Sequence, residues 1–528
     1  MSARTLSIGV DVGGTNTDAV VLDGTGAVVV GTKQPTTPDV TTGIRHALAH
    51  VLDRLGQDRA LVARVMLGTT HATNAIVGRE GLGRVAVVRL GAPASTEYPP
   101  LLGWPTDLSR LVLAGSAMVG GGHMVDGTPI APLDRDGILR FVDGLDGAFD
   151  SVAVSGIFSP SFPDQELQVA ALLRGHLGPD ALVFLSQDIG PVGLLERENA
   201  TVLNAALHGV ARTVTRALRT VVDEQGLDAV PYFAQNDGTL MSLDHAARYP
   251  VLTIGSGPAN SIRGAAYLSG ADEAIVVDVG GTTSDLGVLI GGFPRESTLP
   301  REIGGVRTNF RMPDILSLGL GGGTVVDTAT GDAGPASVGY RIDREALTFG
   351  GPTATLTDAA VAAGAVIGDR TDSMLPELPT TTRAALRAAL AHTHERLAEA
   401  VERLSLGRAD LPLVVVGGGG FLVPDTLPGV ADILRPEHGD VANAVGAAIS
   451  LAGGRADQIS DVEDRDNAVE TASKAAIAKA IQAGADPLRV AVVDITEIPI
   501  SYTTRPTVRV TVKAAGPLAH ETSAVIGA

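Results

Sequence analysis

Two stretches of this sequence are composed to hold a phosphate. Asp11-Val12-Gly13-Gly14-Thr15-Asn16-Thr17-Asp18 agrees with Asp278-Val279-Gly280-Gly281-Thr282-Thr283-Ser284-Asp285 at six of eight positions. The paired glycines let backbone N–H groups converge on an anion, because no side chain blocks the approach. Thr15, Asn16, Thr282 and Thr283 add donors without adding charge. A carboxylate beside a polyphosphate is repulsive unless a divalent metal lies between them, held through water as magnesium prefers. Asp11 and Asp278 are therefore the candidate metal contacts. Asp18 and Asp285 either orient water or the phosphate acceptor, or simply close their hairpins. Two such octets facing each other would hold a triphosphate, ATP with Mg2+, from both sides.

One copy alone would read equally well as a plain hairpin turn. Two copies, each between apolar runs and half a chain apart, point to a duplicated domain. A dinucleotide fingerprint fits less well, since its glycines open a helix whereas these join two strands. No Gly-Lys-Ser/Thr phosphate loop is present. Thr69, Thr70, Thr73 and Asn74 form a neutral, donor-rich patch suited to a phosphate or an amide, with a threonine-capped helix start as the alternative. Of these, Thr70 and Asn74 are the catalytic candidates, and His71 sits among them. Gly417, Gly418, Gly419 and Gly420 follow an apolar strand and face adenine or ribose, unless they only cap a helix. His123 and Asp126 are two ligands at most, which favours a polar loop over a metal site.

Placing these residues takes alternating strands and helices. Residues 6–12, 19–22 and 27–32 read as strands, 41–55 as a helix, and 64–67 and 84–90 as buried strands. Strands at 151–157 and 181–185 flank a helix near 164–177. A helix over 194–224 follows, then a strand at 251–254 running into a glycine turn and a helix at 260–268. Strands at 274–279 and 286–290, a long helix at 380–404, a strand at 413–416 and a small-residue helix at 440–451 complete the pattern. That alternation predicts an α/β layer structure. The polar, acidic stretch 453–466 reads as a linker, leaving 467–528 as a small separate α/β unit. The expected divisions are 1–195, 196–452 and 467–528.

Bulk properties exclude several classes. There are no cysteines, hence no disulfides, thiolate zinc sites or cysteine-ligated clusters. The net charge of −19, with no basic block, argues against nucleic acid as a partner. Mean hydropathy is +0.23, yet no apolar run approaches the roughly 18 residues of a spanning helix. The first residues lead straight into a strand, so no membrane association is expected and a cytoplasmic location is. The 65 glycines lie between apolar runs rather than in a linker, where a backbone must turn sharply or meet a ligand.

The paired octets resemble those of the sugar-kinase, actin and heat-shock-chaperone superfamily. Within it the chain looks like the hydantoinase/oxoprolinase family, specifically its hydantoinase A type of subunit. Residues 68–75 are similar to that family's Gly-Thr-Thr-x-Ala-Thr-Asn-Ala block. Gln235-Asn236-Asp237-Gly238-Thr239-Leu240-Met241 resembles its Gln-Ser-Asn-Gly-Gly-Leu-Met block, with three departures. Residues 255–259, 317–324 and 414–421 resemble its Ser-Gly-Pro-Ala turn, its glycine-rich segment and its adenosine loop, so the likeness covers residues 5–450 in order. It implies two ribonuclease-H-like domains clasping ATP, with Gly322 and Gly323 added to the nucleotide contacts.

The resemblance also implies ATP-driven opening of a small cyclic amide or imide of the hydantoin, oxoproline or lactam type, through a phosphorylated carbonyl. A hydantoinase B-type or other partner subunit and a homo-oligomer are further expectations. The short tail departs from long hydantoinase A chains, which end in a larger β-rich domain. The alternatives are a carboxylase subunit of the acetone or acetophenone type, a small-molecule kinase, and an actin-like or chaperone-type ATPase. Loops in 93–132 or 294–313 are the expected selectors of substrate.

Overall fold

Alternation in the strand Leu6–Val12 sends Ile8, Val10 and Val12 into the core and turns Gly9 and Asp11 to the opposite face. It pairs antiparallel with Asn16–Leu22, which pairs with Val28–Pro35. The helix Val40–Leu55 then crosses over, and Val62–Thr69 returns parallel to the first strand. This is the ribonuclease-H order of elements. The computed structural model describes residues 5–13, 16–37, 40–297, 299–310, 312–372, 375, 377–500 and 505–519. Gly14 and Thr15 lie outside the described residues.

The second copy repeats the arrangement. Ala274–Val279 pairs antiparallel with Ser284–Ile290 and parallel with Leu413–Val416, which is continued by Ile433–Leu434. The hairpins match in detail: Asp11 stands opposite Asp18 and Asp278 opposite Asp285. The Gly13 N–H donates to Asn16 O at 2.9 Å, and the Gly280 N–H to Thr283 O at 2.8 Å. A third layer, the parallel sheet of Val85–Ala92, Leu113–Gly120, Ser151–Gly156 and Val183–Leu185, packs beside the first. The helix Leu194–Glu224 ties them together. Its Ala200–Leu207 end lies in the core under that sheet, and Leu218, Val221 and Val222 lie under the first.

Two helices join the halves. Ser256–Ser269 lays Ile262 and Ala265 against Val276 and Val414 of the second sheet. Ala442–Ile449 lays Ala444 and Val445 against Val20 and Leu22 of the first. They cross in backbone contact. A methyl added at Gly264 would lie 1.9 Å from Ala442 O, and one at Gly446 would lie 1.9 Å from Asn260 O.

Three expectations need correction. Residues 251–254 are not a strand: Pro250 opens a 3-10 turn over Pro250–Thr253 that feeds the following helix. The stretch 453–466 is not a linker, because Ala452–Asp461 is a strand. Its polarity is matched by its surroundings: Arg455 meets Glu296 of the second half at 3.1 Å, and Thr511 of the adjacent strand donates to Asp457. The tail, expected as a separate unit, is a helix, Arg465–Gln482, followed by strands Ala491–Ile500 and Thr507–Gly516. These strands do not form a sheet of their own. They complete a nine-stranded sheet with Val62–Thr69, Val230–Ala234 and Leu240–Ser242 between them and the first hairpin. Ala468, Ala472, Ala476 and Ala480 form a flat stripe that seats the tail helix on that sheet. Deleting residues 453–528 is expected to give an insoluble or loosely packed chain. A soluble truncation with the parent's melting temperature would show the tail to be dispensable. Among the described residues no helix is long and apolar enough to cross a membrane.

Candidate functional site

The two hairpins face each other across a cleft of about 430 Å³. Asp11, Gly13, Asn16, Asp18 and Thr70 line it from the first half. Asp278, Gly280, Gly281, Thr282, Thr283, Asp285, Gly322, Gly417, Gly418 and Gly419 line it from the second. Three candidates stand behind this lining. Asn74 is exposed and donates from Nδ2 to Thr70 Oγ1 at 3.3 Å. The Gly323 N–H donates to Gly281 O at 2.7 Å, bracing the second hairpin, and the Gly420 N–H donates to Gly417 O at 3.2 Å.

The glycines next to the carboxylates are required by space. Gly417 has φ +84°, and a methyl on it would lie 2.3 Å from Asp278 Oδ1. A methyl on Gly68 would lie 2.2 Å from Asp11 Oδ1 and 2.5 Å from Asn260 Nδ2. Each carboxylate therefore lies directly against the backbone of the neighbouring parallel strand or the loop that follows it.

Side chains from the crossing helices complete the site, and sequence reasoning missed them. Asn443 Nδ2 donates to Asp11 Oδ2 at 3.3 Å, and Ser261 Oγ to Asp278 Oδ2 at 2.6 Å. Lys33, from the third strand, lies 2.6 Å from Asp18 Oδ2. Ile342, Phe349, Ile367 and Phe421 give the second half an apolar wall. The helix-to-strand spacing that brings Asn443 to Asp11 is a tertiary fact, invisible to local pattern. Lys33 did carry a signal, as a lone lysine immediately after the strand expected at 27–32, which the structure extends to Pro35 in register with Asp18.

Burial dominates the electrostatics. It pushes Asp11 up to about 6, against the Asn443 amide, with the Asp278 charge adding to the rise. It pushes Asp18 up to about 7 despite Lys33, and Asp285 up to about 6 despite Ser317. Asp278 is raised for the same reason, with Ser261 opposing. With Asp440, five carboxylates thus line one cleft with one lysine, which is the environment a divalent cation relieves. Asp11 Oδ1 and Asp18 Oδ1 are buried without a hydrogen-bond partner. Among the described residues no three of His, Asp and Glu converge closely enough to ligate one ion directly. The donor set fits a magnesium ion held through its water shell.

The remaining candidates lie elsewhere. His71 Nδ1 is 3.2 Å from Thr69 Oγ1, and its ring faces an apolar pocket with Leu207 and Val210 rather than the cleft. His123 Nε2 is 3.3 Å from Asp164 Oδ1, while Asp126 accepts from the Thr128 N–H at 3.0 Å within its own turn. Asn236, from the 235–241 block, accepts from the Gly255 N–H at 2.6 Å and so fixes the turn that brings Gly257 and Pro258 to the cleft. On the other side of that turn the same block lines a second polar cavity of about 190 Å³.

Paired ribonuclease-H-like units closing on an acidic, glycine-lined cleft define the actin-like ATPase class of fold. Two solved structures share this fold. A caprolactamase from Pseudomonas jessenii superposes with a TM-score of 0.78 at 21% identity, over 97% of this chain and 88% of that one. A nucleotide-free acetone carboxylase superposes at 0.66 and 19% identity, over 98% and 88%. Residues 7–177 match the hydantoinase/oxoprolinase N-terminal region and residues 197–453 match hydantoinase/oxoprolinase, so the chain belongs to the hydantoinase/oxoprolinase family. Caprolactamase subunit alpha of Pseudomonas jessenii is 29% identical over 444 residues, 77% of this chain and 61% of that protein. The acetophenone carboxylase gamma subunit of Aromatoleum aromaticum is 26% identical over 404 residues, 69% of this chain and 54% of that protein. The acetone carboxylase beta subunit of Xanthobacter autotrophicus is 26% identical over 400 residues, 68% and 54%. The chain thus spans between half and two thirds of the length of these curated relatives.

Proposed function

We propose that this chain uses ATP to phosphorylate the carbonyl oxygen of a small cyclic amide or imide, as the first step of hydrolytic ring opening. The observation that carries this reading is the meeting of two equivalent carboxylate-ended hairpins in one cleft. A caprolactamase subunit among the relatives supports it. The backbone of Gly13, Gly280 and Gly281 and the hydroxyls of Thr282 and Thr283 hold the phosphates. Gly417, Gly418 and Gly419, with the apolar wall at Phe349 and Phe421, face the adenosine. Asp11 and Asp278 are the residues that would hold Mg2+, and the ion would supply charge neutralisation of the phosphates. Asp18 and Asp285 orient the acceptor or water, Thr70 donates at the mouth of the first hairpin, and Asn74 positions Thr70.

In the reaction, the amide oxygen forms a bond to the terminal phosphorus and the bond to ADP breaks. Water then adds to the activated ring carbon, and the carbon–nitrogen bond breaks with nitrogen leaving as the amine. A second water releases phosphate from the acyl carbon. Preorganised donors around the phosphoryl group supply most of the rate of the first step. The relatives are named as subunits, which supports a complex with a hydantoinase B-type partner that delivers water.

The carboxylase subunits support a second reading, in which the same cleft activates a substrate for carboxylation. Phosphate release with hydantoins, oxoproline and lactams, with and without the co-purifying protein, separates the two. Release stimulated by a ring without bicarbonate is the expected result. A strict bicarbonate requirement favours the carboxylase, and ATP hydrolysis indifferent to every small molecule sinks both.

A further inference from the structure

Lys33 is the one cationic side chain among the described residues lining the cleft. It stands opposite Asp18 in the sheet register, with its Nζ 2.6 Å from Asp18 Oδ2. Its stem also approaches the other half of the molecule, where a methyl on Gly418 would lie 3.7 Å from Lys33 Cε. The lysine therefore leaves the first sheet and reaches across the cleft to the second unit's glycine loop. Its ammonium has three donors, and one faces Asp18. The apolar wall that suits a base (Ile342, Phe349, Ile367, Phe421) belongs wholly to the second half. A nucleotide seated on that wall extends its phosphate tail toward the first half, from which Lys33 enters.

We propose that Lys33 grips the terminal phosphate of the bound nucleotide, and that it lets go of Asp18 to do so. The inference rests on the cleft being the nucleotide site. A compact ammonium on a flexible stem suits a point contact with a phosphate oxygen. The exchange has a built-in logic. A triphosphate reaches Lys33 and a diphosphate does not, so Asp18 keeps its lysine until the terminal phosphate is in place. Asp18, once released, has both carboxylate oxygens available to accept a hydrogen bond from the acceptor or water. Lys33 is thus a phosphate-binding residue and also the device that couples nucleotide state to Asp18.

The test is equilibrium binding of Mg-ADP and of the Mg-bound β,γ-imido analogue of ATP to the full chain. Lys33→Met is expected to weaken the analogue by about 10- to 100-fold, the range for losing one charged hydrogen bond. ADP binding should stay within about threefold of wild type, and Lys33→Arg should recover most of the loss. Asp18→Asn removes the competing anion, so it should bind the analogue at least as tightly as wild type. An equal loss for both nucleotides, or an unchanged affinity for the analogue, overturns the proposal. So does an Asp18→Asn variant that loses the analogue as Lys33→Met does, since the pair would then only brace the hairpin. That arm decides the question even where Lys33→Met fails to fold. A wild-type chain that binds neither nucleotide overturns the reading of the cleft itself, and is recognised before any variant is compared.

Discussion

Asp11→Asn is expected to abolish ring-stimulated phosphate release, by roughly a thousandfold or more, and at the same time to raise the melting temperature in metal-free buffer. The loss follows from charge: an amide cannot hold a hydrated cation against a triphosphate. The gain follows from burial. Asp11 is 5% exposed, and its carboxyl sits at about 6 in the fold against 3.8 when unperturbed. The folded state thus holds the proton more tightly than the unfolded chain. Stability from the neutral form is fully present below about pH 4 and lost as pH rises through 6. Above that the ionised group costs on the order of 3 kcal/mol. Asparagine removes the cost, and its amide oxygen can still accept from Asn443, which lies 3.3 Å from Asp11 Oδ2. Thermal melts at about pH 4.5, 6 and 7.5 should show a gain of a few degrees at the highest pH, shrinking to roughly a third of that at the lowest. Wild-type turnover in this variant would mean the hairpin carries no metal. A melting temperature that falls at high pH would mean the carboxylate is not strained in the metal-free fold.

The second large effect is structural. Gly446→Ala should collapse the protein, seen as aggregation or a fall of well over 10 °C in melting temperature. The added methyl would lie 1.9 Å from Asn260 O and 2.6 Å from Asn260 C, both backbone atoms that cannot swing aside. The helix Ala442–Ile449 also abuts the first sheet, where a methyl on Gly9 would lie 2.0 Å from Ala444 O. Neither helix can retreat without opening the core on its far side. Gly209→Ala is the control. It lies in the helix Leu194–Glu224 with nothing within 4 Å of the added methyl, and should be neutral or stabilising by up to about 1 kcal/mol. Equal melting of the two variants would show that the helices can slide apart at little cost.

Much of this site was legible in the sequence because its chemistry is local. Each octet encodes its own turn, and repetition carried the inference from hairpin to cleft. The family blocks put Gly322 and Gly417–Gly419 among the expected nucleotide contacts, and Thr70, expected as a phosphate or amide donor, lines the same cleft. What escaped was long-range. Asn443 and Ser261 reach Asp11 and Asp278 only because two small-residue helices cross. The apolar wall of Ile342, Phe349, Ile367 and Phe421 is scattered through loops without period. The tail was misread for a different reason. Polar residues at 453–461 suggested a linker, whereas Arg455 and Asp457 belong to a strand, where Arg455 pairs with Glu296 and Asp457 accepts a hydrogen bond from Thr511. Polarity alone does not separate a solvated linker from a strand whose charges are matched by its neighbours.

A continuous ladder of hydrogen bonds runs from the edge strand Ala491–Ile500, through seven intervening strands, to Val28–Pro35, which carries Lys33. Most neighbours are joined at several positions, and the narrowest joint is the single pair of Leu240 with Ala452, so whatever passes from edge to edge passes through that seam. A protein seated on its outer edge would hold the far end of a lever whose near end carries the hairpin proposed to hold phosphate. Assembly and chemistry would then share one piece of material, and the pace of the reaction could be set by a grip applied at the opposite edge of the molecule.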